Sequence, residues 1–183
     1  MQEERDLVHR AQEGDRDAFA RLYEGYFDRV FRYVYARVGN RMEAEDMTQQ
    51  VFLKAYRSLA SFRWKGVPFA AWLFRIARNQ VVDHVRRQSK RRAMPLDEAL
   101  VAGDDSLHRT VERRLEFERV VVAARRLTEA QREVINLRFA SGLAISEVAR
   151  TLGKSEGAVK ALQHSAIAAL RRYLATGEED VRP

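Results

Sequence analysis

Phe62, Trp64, Phe69 and Trp72 are interleaved with Arg63, Lys65 and Arg75 in one short stretch of the chain. Flat aromatic faces hold stacked bases at about 1 to 3 kcal/mol each, and neighbouring cations hold the phosphates between them. That combination suits single-stranded or melting nucleic acid. Taken alone, Trp72 with Leu73 and Ile76 would fit an ordinary helix core, so the charge distribution has to decide. Residues 61–94 carry nine Lys or Arg against the single acid Asp83, although the whole chain is only +7. The basicity is therefore a local footprint, and Arg86 and Arg87 extend it along the same segment. A charged run is often only a solvated face; the aromatic cluster beside this one points to nucleic acid. Asn79 shares a stripe with Arg75 and Arg86 at helical spacing, where an amide can bond a base edge while the guanidinium groups hold the strand.

Other chemistry is not supported by the residue types. The 183 residues include no cysteine, which excludes disulfides, thiolate metal sites and thiol catalysis. His9, His84, His108 and His164 lie in four separate segments without ligand spacing. No glycine-rich phosphate loop or Gly-x-Ser-x-Gly elbow occurs. The sequence predicts no catalytic residue, no metal and no cofactor. It contains no apolar run of about 18 residues that would span a membrane, and its acidic N-terminus is unlike a secretory signal, so a cytoplasmic location is expected.

The elements that must position these residues are helical. Phe19, Leu22, Tyr23, Tyr26, Val30, Val34 and Val38 recur at three-four spacing from an N-cap at Asp15 to a stop at Gly39-Asn40. A second helix is expected from about Met42 to Leu59, burying Ala44, Met47, Val51, Ala55 and Leu59. A third should begin at Pro68 as its first residue and run towards Ser89, with Leu73, Ala77, Val81 and Val85 facing inward. Residues 93–113 contain Met94-Pro95 and Gly103 and lack a clean period, which reads as a flexible linker.

Periodicity returns at Leu115, Val120, Val121, Ala124 and Leu127, followed by a capping box at Thr128 and Gln131. Two short helices come next, one started by Ser146 and stopped by Gly153, the other capped by Ser155 and continuing through Leu170. With small Ala149 and apolar Val148, Leu152, Val159 and Leu162, they form a helix-turn-helix. The expected fold is all-α: two small helical domains, residues 1–92 and 114–175, joined by the linker and ending in an acidic tail, 176–183.

With both halves placed, residues 5 to 175 resemble bacterial sigma factors of the extracytoplasmic-function (ECF) group. The resemblance rests on Ala44-Glu-Asp-Met-Thr-Gln-Gln-Val-Phe-Leu-Lys-Ala-Tyr56, on Phe62-Arg followed by Phe69-x-x-Trp-Leu-Phe-Arg-Ile-Ala-Arg-Asn79, and on the Ile145 to Leu170 helix-turn-helix preceded by Leu127-Thr-Glu-Ala-Gln-Arg-Glu-Val. It implies that 1–92 is a region 2 domain and 114–175 a region 4 domain. It further implies that Asp46, Gln49, Gln50 and Leu53 dock on the clamp coiled coil of the polymerase largest subunit. Phe62, Arg63, Trp64, Lys65, Phe69, Trp72, Arg75, Asn79, Arg86 and Arg87 then read the minus-ten element, with Trp64-Lys65 replacing the commoner Gly-acidic pair. Ser155, Glu156, Lys160, Gln163 and His164 become candidates for minus-thirty-five contacts, although Ala161-Leu162 and Ser165 stand where many relatives have Ser-Arg and Arg. The implied partners are core RNA polymerase, including the flap of its second-largest subunit, promoter DNA and an anti-sigma factor, with the chain a monomer in the holoenzyme. Two alternatives remain at this point. A stand-alone dimeric helix-turn-helix regulator would leave the aromatic loop unused, and a nucleic-acid-processing enzyme would need an acidic metal site.

Overall fold

The structure, a computed structural model, describes residues 2–64, 66–91, 123, 124 and 126–176. The expected linker, the helix positions Leu115, Val120 and Val121, and the tail after Thr176 lie outside the described residues. Among the described residues all regular structure is helical: α1 (Gln2–Gln12), α2 (Arg16–Val38), α3 (Arg41–Ser58), α4 (Phe69–Arg91), α5 (Glu129–Ile135), α6 (Ile145–Leu152) and α7 (Glu156–Thr176). A 3₁₀ turn, Leu59–Ser61, leaves α3, and a π turn, Asn136–Ala140, extends α5.

Local chemistry sets most of the boundaries. The Asp15 carboxylate accepts from the N–H groups of Asp17 and Ala18, and Gly39 closes α2 in the left-handed region at φ 77°. Asn40 then caps α3 through Glu43 N–H, so a two-residue Gly-Asn connection ends one helix and starts the next. Thr128 and Gln131 form both bonds of the expected capping box.

Three expectations are corrected. Pro68 is the N-cap of α4 and not its first residue: its carbonyl accepts from Trp72 N–H at 3.2 Å, and the helix runs from Phe69 to Arg91. Val85 is 39 % exposed and does not face inward with Leu73, Ala77 and Val81, although α3 still flanks α4 here, Glu43 meeting His84 and Gln88. Ser146 does not start α6; Ala144 holds the N-cap position, and the Glu147 carboxylate accepts from its N–H at 2.7 Å. Residues 2–12, for which no element was assigned from the sequence, form α1 and bury Val8 and Ala11.

The core is one apolar cluster drawn from both halves of the sequence. Leu22, Val30 and Val34 of α2, Val51 and Phe52 of α3, and Leu73, Phe74 and Ala77 of α4 pack together with Val134, Leu137, Leu143, Val148 and Val159. Full burial of each large aliphatic side chain stabilises the fold by roughly 1.5 to 3 kcal/mol. Leu127, Ala166 and Ala169 form a smaller cluster between the start of α5 and the C-terminal part of α7.

Candidate nucleic-acid interface

The aromatic loop is built on rings that solvent does not reach. Phe62 is 3 % exposed and Phe69 is 1 % exposed. Phe62 makes an edge contact with Trp64 at 5.3 Å and a tilted contact with Trp72 at 5.0 Å, and Tyr26 meets Phe69 edge-on at 5.4 Å. Phe62 and Phe69 are therefore the bed of the loop and offer no free face to a base, which corrects their expected role as contacts. The two tryptophans are half-buried on top of them. Gln12 pins the loop from α1, its Nε2 donating to the carbonyls of Leu59 and Phe62 at 2.9 Å each. The Arg5 guanidinium lies 5.9 Å from the Trp64 ring, so α1 also contributes a cation beside the ring.

The basic positions divide by what they touch. Arg63 is exposed, and its Nη1 donates to the carbonyls of Ala60 at 2.7 Å and Phe62 at 3.0 Å, which closes the 3₁₀ turn. Lys65 lies outside the described residues. Asn79 and Arg86 of the expected stripe are exposed along α4, and so is Arg87 beside it. Arg75, also exposed, donates from Nη2 to the carbonyl of Arg150 at 2.9 Å. Gly66 follows the tryptophan at φ 69°, and a Cβ built there would come within 3.3 Å of Arg150 Nη1. Glycine is favoured here by the left-handed backbone, while the guanidinium tip of Arg150 would need to shift only slightly for a Cβ.

The four residues expected to dock on a partner share one exposed face of α3. Asp46, Gln49 and Gln50 are exposed, and Leu53 is 50 % exposed although it is a large aliphatic side chain. Leu53 and Gln49 line an open groove with Arg16, Phe19, Tyr23, Phe52 and Tyr56. Phe19 and Tyr56 meet edge-on at 4.8 Å across it. Phe19, Tyr23 and Tyr56 were missed as site residues because their helical spacing reads equally well as core; the one available signal was that Tyr56 lies three residues after Leu53 on the same face.

In the helix-turn-helix, Gly153 adopts φ 64° and Lys154 N–H bonds to the carbonyl of Ala149 at 2.9 Å, which fixes the turn. Ser155 Oγ accepts from Ala158 N–H at 3.2 Å and so caps α7. Glu156, Lys160 and His164 are exposed on one stripe. Gln163 is half-buried, its Oε1 accepting from Arg138 Nε at 3.1 Å, so it is held by the domain's own arginine.

The two halves meet through a polar contact that sequence reasoning did not anticipate. Tyr33 Oη donates to Glu133 Oε1 at 2.5 Å, and Arg37 and Arg78 lie 3.7 Å from the same carboxylate. Arg37 also bonds to Glu129. Burial, followed by the adjacent Glu133 charge, holds the Tyr33 hydroxyl well above its ordinary pKa, so it remains a donor. For Arg37 burial pulls downward, but the Glu129 hydrogen bond and the Glu133 charge outweigh it and the net shift is upward. Arg29 and Arg32 donate to the carbonyls of Ser141 and Ala140 at 2.8 and 3.0 Å, and Thr151 Oγ1 donates to Ala71 O at 3.4 Å.

Comparison with known proteins places both halves. A family model described as Sigma-70 region 2 matches residues 22–91, and one described as Sigma-70, region 4 matches residues 123–172. The ECF RNA polymerase sigma factor ShbA of Streptomyces griseus is 36 % identical, the alignment covering 90 % of this chain and 92 % of ShbA. The ECF RNA polymerase sigma factor BldN of Streptomyces coelicolor is 44 % identical over 92 % of this chain, which spans 65 % of BldN's length. Among solved structures, CnrH in complex with the cytosolic domain of CnrY aligns with a TM-score of 0.74 at 28 % identity, over 95 % of this chain and 98 % of CnrH.

Proposed function

This chain belongs to the ECF RNA polymerase sigma factors, and we propose on that footing that it binds core polymerase, directs it to particular promoters and nucleates strand opening, with no catalysis of its own. The observation that carries this reading is the exposed α3 face: Asp46, Gln49, Gln50 and half-exposed Leu53 beside an aromatic groove. An apolar side chain held at the rim of a ring-lined groove, and flanked by amides and a carboxylate, is the composition of a protein interface centre with a polar rim. Its partner is the clamp coiled coil of the polymerase largest subunit.

Immediately after α3 come the tryptophans and the α4 stripe, which engage the minus-ten element. Trp64 and Trp72 stack unpaired bases, Asn79 reads a base edge, and Arg63, Arg75, Arg86 and Arg87 hold the strand. Lys65 belongs to the same set. The first turns of α7 present Ser155, Glu156, Lys160 and His164 to the minus-thirty-five element, with Gln163 set by Arg138. The site of action is the cytoplasm, where polymerase and promoter are. That CnrH is found in complex with the cytosolic domain of CnrY supports control of this chain by a comparable protein partner of the anti-sigma class.

The docking assignment is tested by Leu53→Glu. A charge at the rim of the groove is expected to weaken binding to core polymerase by at least about tenfold, with the melting temperature unchanged because the side chain already faces solvent. Undiminished affinity for core polymerase would remove α3 as the docking helix.

A further inference from the structure

The helix α1 opens on acids, with Glu3, Glu4 and Asp6 around Arg5. Each of those acids is engaged elsewhere. Glu3 pairs with Arg21 of α2 at 2.9 Å, Glu4 accepts from the Tyr26 hydroxyl, and Asp6 accepts from Gln2 Nε2 at 3.4 Å. Arg5 takes none of them as partner. It is exposed, makes no hydrogen bond or ion pair among the described residues, and lies over the half-buried Trp64 ring at 5.9 Å. The rest of α1 fixes that position: Val8 and Ala11 are buried, and Gln12, on the same helix stripe as Arg5, donates to the carbonyls of Leu59 and Phe62 just before Trp64.

Cations nearer to the loop in sequence are partly committed. Arg63 has Nη1 on the carbonyls of Ala60 and Phe62, and Arg75 has Nη2 on the carbonyl of Arg150. Arg5 keeps its whole fork of N–H donors. At 5.9 Å its guanidinium stands near the outer limit, about 6 Å, of attraction to a ring face, and at exposed sites that attraction is weak. A phosphate offers the same group a charge-assisted, two-pronged bond, roughly twice as strong as a neutral one. A strand whose base stacks on Trp64 brings its backbone within a side chain's reach of the ring, so the arginine exchanges a weak contact for a strong one.

We propose that Arg5 is a strand-binding residue: it holds the backbone phosphate of the nucleotide whose base stacks on Trp64, and α1 thereby forms one wall of the single-strand site. The assignment rests on Trp64 as a stacking ring. The ligand class is single-stranded nucleic acid, and a phosphate contact of this kind positions the strand without any base preference. Nothing in the sequence marks it, because Arg5 sits among acids and far outside the basic segment 61–94.

The test titrates holoenzyme, assembled from this chain and core polymerase, with a fluorescent single-stranded DNA of mixed sequence at salt from about 50 to about 200 mM, core polymerase alone giving the baseline. Arg5→Gln is expected to lower affinity several-fold at the low end and to make the slope of log affinity against log salt shallower by about 0.7, the share of one phosphate on a single strand. Arg5→Lys keeps the charge and should restore the slope while recovering only part of the affinity. The melting temperature of the free chain should hardly move in either variant, since Arg5 makes no bond within the described fold. Unchanged affinity and slope in Arg5→Gln overturn the assignment, and so does a gain in affinity, which would make Arg5 a cover that keeps bases off the ring. Trp64→Ala tests the stacking ring separately: it should weaken binding without changing the slope, because a ring releases no counterion. Weakened binding there with parent behaviour in Arg5→Gln sinks the Arg5 contact alone. Full affinity in Trp64→Ala with a flattened slope in Arg5→Gln removes the stacking ring and leaves Arg5 as a phosphate contact.

Discussion

At the scale of single residues, the aromatic loop separates into rings that are sealed and rings that solvent reaches. Phe62 and Phe69 are sealed under Trp64 and Trp72 and against Tyr26. Phe62→Ala is accordingly expected to cost about 3 to 5 kcal/mol of folding stability, measured by denaturant unfolding, since it empties a filled core position. Trp64→Ala should leave the global stability much less affected while reducing holoenzyme affinity for a single-stranded minus-ten oligonucleotide by about 1 to 3 kcal/mol, measured by fluorescence titration. If the two variants lost stability and affinity in the same proportion, the division would fail. The sequence showed that aromatic and basic residues were concentrated here but not which rings were buried. A phenylalanine at helical spacing reads the same whether it lies under a neighbour or over it.

At the scale of elements, end chemistry rather than the middle of each helix sets the boundaries. Asp15 illustrates this: Ala18 N–H, and after it the Arg10 side chain, hold its carboxyl below its ordinary value. A carboxyl depressed in the folded state contributes stability that is fully present above its unfolded pKa and is lost as pH falls through the folded one. Asp15→Ala should therefore lower the melting temperature at pH 7, and the difference from the parent should narrow once pH falls below about 3.8. A difference independent of pH would mean that the charged cap has no part in it. Long amphipathic helices with such caps were legible: α2, α3, the Thr128 capping box and the Gly153 turn follow from residue type and spacing. The helix α1 was not, because Leu7, Val8 and Ala11 are too few to set a period. The π turn at 136–140 was not, because the bonding of Ser141 N–H back to Asn136 leaves no compositional mark.

At the scale of the whole molecule, the least legible feature was the contact between the halves. Tyr33 and Glu133 are 100 positions apart, and each alone looks like an ordinary polar residue on an amphipathic helix. The function of the molecule depends on what it cannot do by itself. Opening a base step costs about 1.4 kcal/mol of stacking, so a bubble of about ten steps costs about 14 kcal/mol. Two tryptophans return about 1 to 3 kcal/mol per base, which is enough to start an opening but not to complete it. On the proposed function the polymerase holds the remainder, while this chain docks through α3 and captures the first unpaired bases through the loop and α4. Permanganate footprinting of a cognate promoter with this chain and core polymerase tests that claim most directly. Reactive thymines are expected around the minus-ten element when both proteins are present and with neither alone; a template that stays unreactive with both would rule out strand capture by this chain.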